Sequence, residues 1–159
     1  MDKVAHIRSV VFSFDGYHLL ARLTDVPPDG AWPFDVEEDE AGVTTWMCGV
    51  TSLQKGSGWM DIGMRFVLDP PQRERIGKAI ESLRNSLSVR PVAGVLVRSP
   101  FRMAELRRLY ELILDTELDR RNFSRQVQLA GFVRPEGEAF RFDAEAFERW
   151  SRKKSKKIF

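Results

Sequence analysis

Two apolar runs open the chain, Ile7-Arg8-Ser9-Val10-Val11-Phe12-Ser13-Phe14 and Tyr17-His18-Leu19-Leu20-Ala21-Arg22-Leu23, separated by Asp15-Gly16. An Asp-Gly pair between two β-prone runs predicts a hairpin whose turn residues both take positive φ. The stretch 25–42 is rich in Pro, Gly and acid and reads as loop. Residues 43–53 read as a strand, ended by Lys55-Gly56-Ser57-Gly58. From Trp59 to Leu68 apolar Met60, Ile62, Met64, Phe66 and Leu68 alternate with their neighbours, the period of a strand with one buried face.

After Asp69-Pro70-Pro71 the period changes. Ile76, Ile80, Leu83 and Leu87 recur at helical spacing over 72–87, with Arg73, Arg75, Lys78 and Arg84 on other faces. The run from Val92 to Val97 follows Pro91 and reads as a buried strand or an extended connection. Ser99-Pro100 reads as a helix N-cap with proline at the first helical position. Met103, Leu106, Tyr110, Ile113 and Leu114 form the next apolar stripe. Residues 115–118 make a short turn, and Asp119 caps a helix whose inward positions are Phe123, Val127 and Ala130 and whose stop is Gly131. Phe132-Val133-Arg134 and Phe140-Arg141-Phe142, joined through Pro135-Glu136-Gly137-Glu138, form a hairpin. From Asp143 a last capped helix buries Phe147 and Trp150 ahead of the basic tail.

Helix, tight turn, helix and hairpin is the order of a winged helix-turn-helix. The fold class expected is therefore α+β: a small antiparallel β unit (1–70), a connecting helix and strand (71–97), and a winged helix-turn-helix with a basic tail (98–159). The outer face of the second helix presents Arg120, Arg121, Ser124, Arg125 and Gln128. Arginine donates two bonds to guanine and glutamine pairs with adenine in the major groove, while nearby cations neutralise phosphates. Arg134 and Arg141 on the hairpin and Lys153 and Lys154 in the tail are further candidate DNA contacts. The competing reading is a helical packing unit with an ordinary solvated basic face.

Charge sharpens this division. The chain of 159 residues carries a net +2, yet residues 1–70 hold 5 Lys/Arg against 11 Asp/Glu and the remainder 20 against 12, giving −6 and +8. A basic half suits a polyanionic partner. No apolar run reaches the ~18 residues of a membrane helix, and no signal-like segment follows the first residues. With one cysteine, Cys48, no internal disulfide forms, and a reducing cytoplasm is the expected location. Cys48 lies in an apolar strand and is expected to be a buried, inert thiol. His6 and His18 are expected at the surface, and Trp32, Trp46 and Trp59 as core or interface anchors rather than a ligand pocket. The acids Asp35, Glu37, Glu38, Asp39 and Glu40 read as a solvated loop, not a metal site.

The stretch from Phe101 through Leu114, continued by Glu117-Leu118-Asp119-Arg120-Arg121-Asn122-Phe123-Ser124-Arg125, resembles the DNA-binding end of Nudix-related transcriptional regulators of the NrtR type. Those proteins join a Nudix-like effector domain to a winged helix-turn-helix. The resemblance runs from the helix at 72–87 to the basic tail, and Leu118-Asp119-Arg120-Arg121-Asn122-Phe123 is its most specific part. Three positions depart from the family pattern. Arg102 stands where Thr or Ser usually precedes the first helix, Ser124 replaces a basic residue, and the wing lacks a Gly-Arg-rich loop. More of the binding then falls to the recognition helix and tail.

At the amino-terminal side, Ser9 to Tyr17 resembles the opening Nudix hairpin, and Gly30-Ala31-Trp32-Pro33 its Trp-x-x-Pro region. Nudix hydrolysis needs a helix with Arg-Glu and a further Glu-Glu that bind a divalent metal. Only Asp39-Glu40-Ala41-Gly42-Val43 remains here, so the resemblance implies a reduced, degenerate domain without catalysis, cofactor or metal. The function expected is a transcriptional regulator or accessory protein binding double-stranded DNA, as a homodimer because one recognition helix covers half an operator. A protein–protein adaptor that has lost DNA binding is the alternative. Residual phosphohydrolase activity is the third reading, and none is expected. Effectors related to ADP-ribose or sugars bind the Nudix-like part of the resembled family; an effector here is left open.

Overall fold

The computed structural model describes residues 8–51 and 58–153, so His6, most of the turn at 55–58 and Lys154 lie outside the described residues. Five strands come first: β1 (Arg8–Phe14), β2 (Leu19–Thr24), β3 (Trp32–Glu38), β4 (Thr44–Gly49) and β5 (Met60–Asp61). They form one sheet in the order β3-β4-β1-β2-β5. Every pairing is antiparallel except β1 with β4, which run parallel from Arg8 opposite Thr45 to Phe12 opposite Gly49. Being central, β1 is buried from Ser9 through Phe14.

The β1–β2 hairpin forms, with Phe14 opposite Leu19, but its turn spans four residues. Gly16 takes φ +97°, whereas Asp15 does not enter the positive region. Instead the Asp15 carboxylate accepts from the amides of Tyr17 (2.8 Å) and His18 (2.6 Å), closing the turn with its side chain.

Two expectations are corrected in this half. The supposed loop 25–42 contains β3, which pairs with β4 through an irregularity between Pro33 and Asp35. Pro33 and the acids are tolerated because β3 is an edge strand, where a missing amide and outward charge cost little. Second, the alternating run from Trp59 to Leu68 is a strand only over Met60–Asp61 and then turns into a 3-10 helix, Ile62–Val67. Asp61 caps it by accepting from the Gly63 amide at 2.9 Å. Ile62 is buried, while Met64, Phe66 and Val67 are exposed.

The helices follow: α1 (Pro70–Ser86), α2 (Val92–Leu96), α3 (Met103–Leu114) and α4 (Arg120–Ala130). After them come the hairpin strands β6 (Val133–Glu136) and β7 (Ala139–Phe142), and α5 (Ala144–Ser151). In α1 the predicted stripe is buried, with Ile76, Ile80 and Leu83 against the sheet. The run from Val92 to Val97, expected to be extended, is instead the short helix α2, with Val92, Ala93 and Leu96 inward. Six apolar residues read equally as a strand or as a turn and a half of buried helix, and tertiary packing decides. The α1 helix rests on β1, β3 and β4, α2 on β1 and β4, and α3 on β2.

One apolar cluster runs without a break from Val10, Phe12 and Phe34 through Leu83, Leu96 and Leu106 to Phe123, Phe132, Phe147 and Trp150. The sheet and the winged helix thus share a core. At the seam, Gly94 on α2 faces Phe142 of β7 so closely that a Cβ there would stand well inside van der Waals contact of the ring. Gly94→Ala should lower stability by about 1–3 kcal/mol, the usual cost of overpacking. Denaturant unfolding of the variant measures it.

Candidate nucleic-acid interface

Helix α3 buries Leu106, Leu109, Tyr110 and Ile113. It does not begin at Ser99-Pro100 as the sequence suggests. Phe101 is drawn into an extended bridge with Phe140, its amide donating to the Phe140 carbonyl (2.9 Å) and its carbonyl accepting from the Phe140 amide (2.8 Å). The Ser99 hydroxyl accepts from the Phe142 amide at 3.3 Å. The segment before α3 is therefore tied to the wing, and the helix starts at Met103 behind an extended Arg102 with no side-chain cap.

Asp115 ends α3 in the left-handed conformation (φ 53°, ψ 48°). The Glu111 carboxylate reaches over the turn to accept from the Leu118 amide at 2.9 Å. Asp119 then caps α4, accepting from the Asn122 amide at 2.8 Å, and Gly131 (φ +84°) stops it. Between these caps only Phe123 and Val127 are buried, with the Phe123 ring meeting Tyr110 edge-on at 5.3 Å. The rest of the helix is turned outward by those two contacts.

Arg120, Arg121, Arg125 and Gln128 are exposed and Ser124 is half-buried. Arg125 donates to the Asn122 side-chain carbonyl (3.1 Å) and Gln128 to the Ser124 hydroxyl (2.8 Å), so neighbours on one face hold each other extended along the helix. Arg120 and Arg121 have no hydrogen bond or ion pair to a described residue. All five line a groove of about 690 Å³, whose other wall is Met103, Ala104 and Arg107 of α3. Four guanidinium groups and no carboxylate face this groove.

Arg107 is the residue that sequence reasoning missed. Its Nε is buried without a hydrogen-bond partner among the described residues. The signal was its position one turn after Met103 and three residues after Ala104, on the flank of α3 beside the buried stripe.

The remaining candidates lie elsewhere. Residues β6 and β7 pair from Val133 opposite Phe142 to Glu136 opposite Ala139, leaving a tight turn at Gly137-Glu138. Arg134 pairs with Asp143 at 2.7 Å and Arg141 with Glu136 at 3.1 Å, so each wing arginine already faces an acid. Neither these two nor exposed Lys153 lines the groove. Beneath the wing, Phe132, Phe142, Phe147 and Trp150 pack with ring centroids 5.1–5.7 Å apart.

Among the other expectations, Cys48 is buried and burial pushes its thiol up to about 11, away from thiolate chemistry. Trp32 lies under the Arg90 guanidinium at 5.3 Å, which gives it a structural partner. Asp39 is occupied in its own turn, accepting from Ala41 and Val43 amides at 2.9 Å, and Asp35 accepts from the Ser82 hydroxyl. Among the described residues no group of three or more His, Cys, Asp or Glu converges as a metal site.

Asp143 does double work at the base of the wing: it caps α5 through the Ala146 amide (3.0 Å) and holds Arg134. The Ala146 hydrogen bond, helped by Arg134 and Arg149, keeps its carboxyl below the ordinary carboxylate range against an opposing desolvation. The stability it contributes is therefore present above the unfolded value, about pH 4, and is lost as pH falls through the lower folded value. Asp143→Ala should cost about 1 kcal/mol at pH 7. That deficit should shrink in unfolding curves measured progressively below pH 4.

Residues 95–144 match the family described as the NrtR DNA-binding winged helix domain. No curated protein sequence matches the chain. The crystal structure of Shewanella oneidensis NrtR superposes with a TM-score of 0.58 at 16% identity, over 88% of this chain and 93% of that one. The same protein complexed with a 27mer DNA superposes with a TM-score of 0.58 at 14% identity, over 89% and 94%. The chain therefore carries an NrtR-type winged helix domain at residues 95–144 and, over most of its length, shares the fold of that Shewanella protein.

Proposed function

We propose that the protein is a transcriptional regulator that binds double-stranded DNA by seating α4 in the major groove. The observation that carries this reading is the groove lined by exposed Arg120, Arg121 and Arg125 and half-buried Arg107, with no acid among its lining. Four unneutralised cations repel one another unless an anion intervenes, and a duplex supplies phosphates on both sides of the groove that α4 would occupy. The match to a DNA-binding winged helix family supports it.

Within the site, Arg121, Ser124, Arg125 and Gln128 read bases or adjacent phosphates, and Arg120 and Arg107 contact the backbone. Arg134 and Arg141 play smaller parts, because a phosphate must first displace Asp143 or Glu136. Lys153 and Lys154 add charge from the tail. A homodimer places two such helices on a palindromic operator. Residues 1–70 serve as a non-catalytic β unit and 71–97 as the connection to the winged helix-turn-helix at 98–159. The scattered engagements of Asp35 and Asp39 favour the absence of metal-dependent hydrolysis.

Fluorescence anisotropy of the full chain on labelled duplex, titrated with NaCl, tests the reading. Affinity should fall steeply with salt, with a log–log slope of about −0.9 per phosphate neutralised. Arg121→Ala and Arg125→Ala should each weaken binding by about 1–3 kcal/mol, and the loss should be larger on preferred than on scrambled sequence. Binding that ignores salt and both substitutions would place the adaptor reading first.

A further inference from the structure

A second cleft of about 690 Å³ opens beside the recognition groove, between the β1–β2 turn and the start of α3. Its walls include Arg98, Arg102 and Arg108 on the winged-helix side and Asp15 and Tyr17 on the sheet side. Ala104 lines both this cleft and the recognition groove, so the two adjoin at the first turn of α3. We propose that this cleft receives the sugar-phosphate backbone flanking the segment read by α4, with Arg98 and Arg102 as its phosphate contacts. The inference rests on the DNA-binding reading and extends it to residues off the recognition helix.

The side-chain commitments single out those two residues. Arg108 is spent: its Nε donates to the Tyr17 carbonyl at 3.2 Å, fastening the hairpin turn to α3. Arg98 is exposed and bonds no described residue. Arg102 is 74% exposed, and its Nε meets only Glu105, at 3.3 Å. An ion pair so open to water is worth little and yields readily to a phosphate. The opposing acid Asp15 is turned onto its own backbone, accepting from Tyr17 and His18. Burial works against its ionisation, yet the His18 and Tyr17 amides hold its carboxyl below the usual range. Its charge therefore persists on the sheet side, so a phosphate is excluded from the β1–β2 turn and seats against Arg98 and Arg102, displacing Glu105 from the latter.

Arg102 also gains meaning here. It stands immediately before α3, extended and without a side-chain cap, so its guanidinium is not consumed in starting the helix. A short polar cap at that place would satisfy the helix; a long cation reaches outward instead.

The test compares wild-type full chain, Arg98→Ala/Arg102→Ala and Arg98→Lys/Arg102→Lys on one duplex across a salt series. The alanine pair should lower the magnitude of the salt slope by about two, close to 0.9 per lost contact, while leaving the ratio of preferred to scrambled sequence unchanged. The lysine pair should restore most of the slope, since a phosphate contact needs charge rather than a planar fork. Unchanged melting temperatures would exclude a folding defect as the cause. An alanine pair with the wild-type slope, in an assay where Arg121→Ala still weakens binding, overturns this inference alone. A wild type that shows no salt-dependent binding overturns the parent reading and this one with it. Inorganic pyrophosphate bound by wild type and lost in the alanine pair, with the DNA slope unchanged, assigns the cleft to a free anion and also overturns it.

Discussion

The arrangement depends on two buried side chains under a polar helix. Helix α4 has eleven residues, of which only Phe123 and Val127 are fully removed from water. Burying such side chains is worth about 1.5–3 kcal/mol each, far more than the helix gains from intrinsic propensity in so short a segment. Those contacts fix which face looks inward, and the hydrogen-bonded caps at Asp119 and Gly131 fix where the helix begins and ends. Arg121, Ser124, Arg125 and Gln128 are outward because Phe123 and Val127 are inward. The candidate site is a consequence of core packing.

That core does not stop at the winged helix. The apolar cluster passes from the sheet through α1 and α2 into α3, and polar ties reinforce the passage. Arg84 of α1 donates to the Ile113 carbonyl near the end of α3 (3.0 Å), and Arg108 of α3 donates to the Tyr17 carbonyl (3.2 Å). Both are guanidinium bonds to carbonyls that would otherwise need water. The close approach of Gly94 to Phe142 presses the connecting helix onto the wing itself. The acidic sheet side and the basic winged-helix side are therefore mechanically joined while electrostatically opposed, which favours a polyanion approaching from one side only.

Much of the winged helix was legible in the sequence because its signals are local. Asp119 capping, the spacing of Phe123 and Val127, and Gly131 as a left-handed stop are each decided within a few residues. The hairpin and the Asp143-capped helix followed for the same reason. Expectations failed where distant partners decided the outcome. Ser99-Pro100 carries a helix-start signature, but Phe101 gains two backbone hydrogen bonds from Phe140, some forty residues on in the chain. The run at 92–97 is helical because it packs on β1 and β4, which composition does not reveal. The strand β3 was hidden by proline and acids that only an edge position accommodates. Arg107 escaped notice because a lone arginine on a helix flank gains significance only when a second helix is laid beside it.

The central claim is that the outer face of α4 meets the duplex. Amide chemical-shift mapping of the isotopically labelled full chain, titrated with a duplex selected by the protein from a random pool, tests it directly. Signals of Arg121, Ser124, Arg125 and Gln128 should move together and saturate, while those of the sheet interior from Val10 to Phe12 stay in place. Saturating shifts confined to the sheet, with the α4 signals unmoved, would contradict the account.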